Sequence, residues 1–224
     1  MTTFLHRGGG YRNLRAYQLS EAMHDLTSVF VERFIEKGSR TKDQMIQAAR
    51  SGKQNIAEGS EASTTSKETE IKLTNVAKAS LEELLLDYED YLRQHFLPIW
   101  DKSSPRVLKL REYLRADRFI KSPLEFAQKM NAEEFCNLCI TLINQTTYLL
   151  GRLLEKQQEQ FLKEGGIREQ MTRARIAYRN SQTTQTSQTS QTSQTVQTSP
   201  TSPTGPTSQT GQTRPTGPTP DNKS

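Results

Sequence analysis

Cysteine is scarce in this chain and long apolar runs are missing altogether. Cys136 and Cys139 are the two cysteines among 224 residues, too few for a disulfide framework and in keeping with a reducing compartment. No apolar stretch approaches the ~20 residues that span a bilayer, and Met1 to Gly10 lacks the hydrophobic core of a signal peptide. The expectation is a cytoplasmic protein with no membrane partner. Strand signals are also absent: nothing alternates with period two over a useful length, and β-branched residues do not cluster between turns. There is no Gly-x-x-x-x-Gly-Lys phosphate loop and no Gly-x-Ser-x-Gly nucleophile elbow. We therefore expect no enzyme activity and no cofactor.

What is present changes abruptly along the chain. Beyond Asn180 nearly every residue is Thr, Gln, Ser, Pro or Gly, and Val196 is the sole aliphatic side chain. Such a tract buries too little apolar surface to offset the entropy of ordering it, so residues 181–224 read as a disordered tail. Its Ser-Gln-Thr units suit a spacer or a binding motif. The remaining organisation is a flexible arm over 1–10, a single folded body over 11–164 and a basic extension over 165–180.

The formal charge of +5 is unevenly divided. Residues 1–164 hold 24 basic and 23 acidic side chains, whereas 165–180 carry Arg168, Arg173, Arg175 and Arg179 against Glu169 alone. Arg7, Arg12 and Arg15 make the beginning of the chain basic too. Two readings stand: phosphate-contacting arms at the edges of the body, or solvated arms without a partner.

Apolar residues recur at spacings of three and four in four segments. Leu14 to Phe34 predicts a helix closing near Lys37 and Gly38. Met45 to Ile56 predicts a second, opened by Ser39 or Thr41 and stopping at Gly59, with Ala48, Ala49 and Gly52 offering a face for close backbone approach. Leu73 to Leu92 predicts the longest, ending before Pro98. Asn131 with Glu134 forms a capping-box pattern ahead of Phe135 to Leu154, a helix closing at Gly165 and Gly166. Between the third and fourth segments, Pro105 and Pro123 sit just inside short helical turns, the second as Ser122-Pro123-Leu124-Glu125, another capping-box pattern. The fold class is all-α: an antiparallel four-helix bundle with a longer connection between helices 3 and 4.

A di-metal bundle would need two Glu-x-x-His motifs. Glu21 and His24 supply one and no second exists, so His24 reads as a boundary residue and no metal is expected. The pair Cys136 and Cys139 has CxxC spacing without further ligands, which suits core cysteines better than zinc. Arg40, Lys42, Arg50 and Lys53 give the second helix a basic stripe, opposed by Asp43. It fits phosphate contact or a solvated face with intrahelical pairs. The connection adds Arg106, Lys109, Arg111, Arg115, Arg118 and Lys121 against Glu112 and Asp117, open to the same two readings.

The run Gln44 to Gly59, with Ala48-Ala49 followed by Asn55-Ile56-Ala57-Glu58-Gly59, resembles the central signature of the four-helix-bundle proteins encoded in 23S ribosomal-RNA intervening sequences. Ala79 to Leu84 is similar to that family's third helix, and Gly10 to Leu14 with Leu84 to Leu92 resembles its four-helix-bundle suffix-domain subgroup. The resemblance covers roughly residues 8–160. It implies a ring-like homo-oligomer, a pentamer, with no enzyme activity. Through the related accessory variability determinant of diversity-generating retroelements it also implies RNA or DNA and a reverse transcriptase as partners. Arg40, Arg50 and Lys53 are then nucleic-acid contacts, with Arg12 and Arg15 of the basic beginning beside them. Asn55 and Glu58 are polar fasteners to a neighbouring helix or subunit, Gly59 ends its helix, and Ala49 and Gly52 form a tight interface.

Overall fold

A computed structural model describes residues 10–191, with side chains as far as residue 182; residues 192–224, including most of the expected disordered tail, and residues 1–9 of the arm lie outside the described residues. Among the described residues the chain is all-helical, without a strand. A 3-10 turn at Tyr11–Asn13 leads into α1 (Arg15–Phe34), followed by α2 (Arg40–Ala62) and α3 (Lys67–Gln94). Three shorter helices come next, α4 (Pro105–Arg115), α5 (Asp117–Lys121) and α6 (Pro123–Ala127), then α7 (Ala132–Glu164) and α8 (Ile167–Gln191). No helix among the described residues is long and apolar enough to cross a membrane.

The helix ends follow local chemistry. At Asn131 the capping box is complete: Asn131 Oδ1 accepts from the Glu134 N–H at 2.9 Å, and Glu134 Oε2 accepts from the Asn131 N–H at 3.1 Å. Ser66 and Ser104 cap α3 and α4 through their hydroxyls, Ser104 immediately before Pro105. Gly165 stops α7 with φ +74°, a conformation open to glycine. Ser39 and Ser122 make no side-chain cap bond. The capping box expected at Ser122 does not form, because Glu125 is drawn to Arg118 at 3.2 Å. Helix α1 closes at Phe34, short of Gly38, where Ile35 turns to extended backbone. Helix α8 carries the basic extension and runs on into the Ser-Gln-Thr tract to Gln191.

The long helices pack pairwise: α1 on α2, α2 on α3, α3 on α7 and α7 on α1, with α4 on α7 and α5 and α6 on α1. Between them Met23, Leu26, Met45, Leu81, Leu84 and Leu138 are fully buried, the stripes that the three-and-four spacing marks. Phe30 lies at the aromatic centre, with ring centroids 4.9 Å from Tyr88, 5.0 Å from Tyr91 and 5.6 Å from Phe135. The buried Tyr88 hydroxyl donates to Thr27 Oγ1 at 3.0 Å, so the core keeps its polar atom satisfied. Gln157 of α7 donates to Glu70 Oε1 and Thr74 Oγ1 of α3, both at 3.1 Å.

Helices α2 and α3 come closest. A β-carbon on Gly52 would stand 2.7 Å from Leu81 Cδ2, and one on Gly59 would stand 3.3 Å from Leu73 Cβ and 3.4 Å from the Glu70 carbonyl oxygen. The expected helix end at Gly59 is thereby corrected. Helix α2 continues to Ala62, and Gly59 is a buried mid-helix residue kept small by the backbone of α3.

The end of α3 is a Schellman motif, in which the Leu97 N–H reaches the Leu92 carbonyl at 2.9 Å and the Phe96 N–H reaches Arg93 at 3.3 Å. Phe96 occupies the left-handed position with φ +56° and is 95% exposed, so its side chain offsets none of the strain.

Two stability outcomes follow. Overpacking at Gly52→Ala costs ~1–3 kcal/mol against about 1 kcal/mol of better helix propensity; denaturant unfolding should therefore show a net loss of about 1 kcal/mol, and an unchanged midpoint would mean that Leu81 moves freely. Phe96→Gly should raise stability by about 0.5–1 kcal/mol, the relieved strain less the extra freedom of glycine in the unfolded chain; a lower melting temperature would show that Phe96 contributes packing.

Candidate nucleic-acid interface

Arg40 and Arg50 are exposed and Lys53 half-buried, and none of the three is ion-paired among the described residues, while Lys42 is held by Glu32. At about 100° and 1.5 Å per residue, Arg40 and Arg50 lie about 15 Å apart along α2, and the three span about 140° of its outer face. They make a spread track and do not converge on one point. Arg12 is exposed, with its guanidinium 5.3 Å from the Tyr11 ring centroid.

Arg15 turns inward. Its guanidinium donates to the Leu114 and Arg115 carbonyls at 2.9 and 3.0 Å, capping the end of α4. Arg15, expected as a phosphate contact, thus also has a structural role, since the orphan carbonyls of a helix end attract the cation. Arg33 does the same at the end of the connection, donating to Ala127 O at 3.1 Å and Met130 O at 2.8 Å. Nothing in the spacing of Arg33 distinguishes it from a solvated cation.

Of the expected fasteners, Asn55 donates within α2 to Ser51 O at 2.9 Å and Ser51 Oγ at 3.1 Å; Ser51 Oγ in turn meets Ser80 Oγ of α3 at 2.9 Å. Asn55 thus joins α3 through Ser51. Glu58 is exposed, and its side chain makes no hydrogen bond or ion pair among the described residues. Ala49 and Gly52 are buried against the core. Cys136 and Cys139 are buried free thiols; burial pushes both up, Cys139 to about 12, so neither offers a thiolate. His24 is half-buried, and its Nδ1 lacks a hydrogen-bond partner among the described residues, Asp25 Oδ1 standing 3.6 Å away. Among the described residues no group of three or more His, Cys, Asp or Glu is placed to hold a metal ion.

Charge is segregated across the body. Residues 102–129 hold eight basic side chains and three acidic ones, which leaves the rest of residues 1–164 net negative. Helix α3 alone carries seven carboxylates, and burial together with Glu83 and Asp90 raises the Asp87 carboxyl above its ordinary range. The cations belong to the connection because α4 buries one stripe, Val107, Leu110 and Leu114, against the core. The adjacent stripe, one residue earlier, is Arg106, Lys109 and Tyr113.

That stripe forms one wall of a groove of about 780 Å³, with Trp100 at one side and Phe126 and Lys129 among its other lining residues. Leu110 and Met130 are buried beneath it. Trp100 is fixed by its N–H to Asn137 Oδ1 at 2.8 Å and its indole N–H to Glu133 Oε1 at 2.6 Å. Asn137 also donates to the Pro98 carbonyl at 3.1 Å, so one buried amide holds the segment leaving α3. The Arg106 guanidinium lies over the Trp100 ring at 5.2 Å, and Tyr113 and Phe126 pack at 5.1 Å between centroids. Burial raises the Tyr113 hydroxyl above its ordinary range, so it stays neutral. Both carboxylates of the groove are engaged, Glu125 by Arg118 and Glu134 by the Asn131 N–H. Arg106, Lys109 and Lys129 have no carboxylate partner among the described residues.

Comparison with protein-family models, curated proteins and solved structures gives no match to this chain.

The Arg33 clamp has a local signature. Hydrogen bonds from a charged donor contribute about 1.5–3 kcal/mol, less where water competes. Arg33→Ala should raise amide exchange over residues 123–130 several-fold while leaving α2 and α3 protected. Equal exchange in both proteins would show that Arg33 does not hold the connection.

Proposed function

We propose that this protein is a non-enzymatic, oligomeric four-helix-bundle protein of the intervening-sequence family that associates with RNA or DNA through the phosphate backbone. In this reading α1, α2, α3 and α7 form the antiparallel bundle and α4 to α6 form its longer connection. The observation that carries it is the segregation of cations: a body near neutrality in sum presents residues 102–129 with a marked excess of positive charge, a surface suited to polyanions. The unpaired Arg40, Arg50 and Lys53 extend that character to α2. Repetition around a ring, the pentamer that the resemblance implies, would multiply weak phosphate contacts into useful avidity. A retroelement accessory role beside a reverse transcriptase, in the cytoplasm, belongs to the same reading.

A second reading, a scaffold that binds proteins and no nucleic acid, is favoured by apolar side chains left in solvent. Leu86 of α3 is 62% exposed, and Tyr148 and Leu162 of α7 are 68% and 84% exposed. A covering partner would bury these side chains, and in the leading reading a second copy of the chain covers them.

Salt separates the two. Fluorescent RNA and DNA titrated with the full chain should bind at low ionic strength and weaken steeply as salt rises. If Arg12, Arg40, Arg50 and Lys53 each meet one phosphate, log affinity against log salt should slope at roughly −3.6 for duplex DNA and roughly −2.8 for single strands. Undetectable binding at low salt would sink the nucleic-acid reading and leave the scaffold.

A further inference from the structure

We infer that the groove beside α4 and α6 is a binding site for single-stranded nucleic acid, in which exposed bases stack on its aromatic walls while its lysines hold the phosphates. The inference rests on the nucleic-acid reading above and names its site and its strand class. Three features point to it together. First, the groove joins aromatic rings to cations: Phe126, 49% exposed and 5.1 Å from the Tyr113 ring, offers a face, and beside it the Arg106 guanidinium stands 5.2 Å over the half-buried Trp100 ring. Base stacking on such faces tolerates sequence because every base has a π face. Second, its lining carries four cations, Arg106, Lys109, Arg118 and Lys129, against two carboxylates, Glu125 and Glu134, and Lys109 and Lys129 have no carboxylate partner among the described residues. An incoming anion thus meets uncompensated positive charge. Third, the walls are held in place before any ligand arrives, since two hydrogen bonds fix Trp100 and Arg33 ties Ala127 and Met130 to α1. Preorganisation of this kind lowers the ordering cost of binding.

A duplex does not satisfy the same set of groups. Its bases are stacked on one another and offer no free faces to the groove, whereas its phosphates are available to α2 as readily as to α4. The site therefore favours unpaired strands, and RNA and DNA share the chemistry that it reads.

Trp100 is the single tryptophan of the chain, so its fluorescence reports on this groove alone. The full-length protein is titrated with 20-nucleotide oligo(U), oligo(dT), a mixed-sequence duplex and polyglutamate, with anisotropy of labelled strands read in parallel. Oligo(U) and oligo(dT) should quench Trp100 and the duplex should not; the relative affinities of the first two assign RNA or DNA. Phe126→Ala should weaken single strands by roughly five- to a hundredfold, the range measured for losing one stacked base, and leave duplex binding unchanged. Lys109→Glu with Lys129→Glu, both at exposed positions, should abolish the quench with circular dichroism unaltered. Single strands that bind without quenching Trp100, and with an affinity indifferent to both sets of variants but lost in Arg40→Glu/Arg50→Glu/Lys53→Glu, would overturn the groove site and keep the nucleic-acid reading. Absence of binding by any strand at low salt would overturn both. A response to polyglutamate and not to oligonucleotides would overturn the inference and assign the groove to an acidic protein partner.

Discussion

The contact between α2 and α3 leaves no room for a β-carbon at Gly52 and little at Gly59, and other packing is built on that closeness. Because the two backbones approach so nearly, Leu81 fits over α2 and remains fully buried. The Ser51–Ser80 hydroxyl contact then becomes possible, and Asn55 reinforces it from within α2. Helices α1 and α7 need only bring their apolar stripes to this pair. Tyr88 illustrates the dependence: its ring packs on Phe30 and its hydroxyl finds Thr27 across the core, a satisfied polar group whose geometry would fail if α3 were displaced.

Near-neutrality conceals an electrostatic division. The connection gathers cations because its helices bury one narrow stripe and leave the rest of their surface wet, whereas α3 gathers carboxylates on its outer face. In the sum over the body the two largely offset; placed in space, they give the two surfaces fields of opposite sign. On the basic side the cations are interleaved with aromatic rings, which gives that surface a chemistry beyond charge.

Periodicity made the long helices legible, and end signals fixed several boundaries: the Asn131–Glu134 box and Gly165 do in the structure what their residue types suggest. Where the reading failed, one residue type served two physical purposes. A glycine near a helix end reads as a terminator, yet Gly59 is there because α3 passes too close for a side chain. An arginine in a basic segment reads as a phosphate ligand, yet Arg15 also grips carbonyl oxygens, whose partial negative charge attracts the cation. Ser122 has the spacing of a cap without its geometry. The groove was only half visible: Arg106, Lys109 and Tyr113 share a helical stripe that spacing could have revealed, but Trp100 and Phe126 join them through tertiary packing.

Arg15 and Arg33 both grip the connection by its main chain. A carbonyl oxygen is supplied by every residue, so these two clamps are indifferent to which side chains α4, α5 and α6 display. Substitutions can accumulate on the outward surface of the connection without loosening its seat on α1. The bundle thereby acts as a fixed chassis and the connection as an interchangeable face, whose side chains can change while the fold beneath them stays the same.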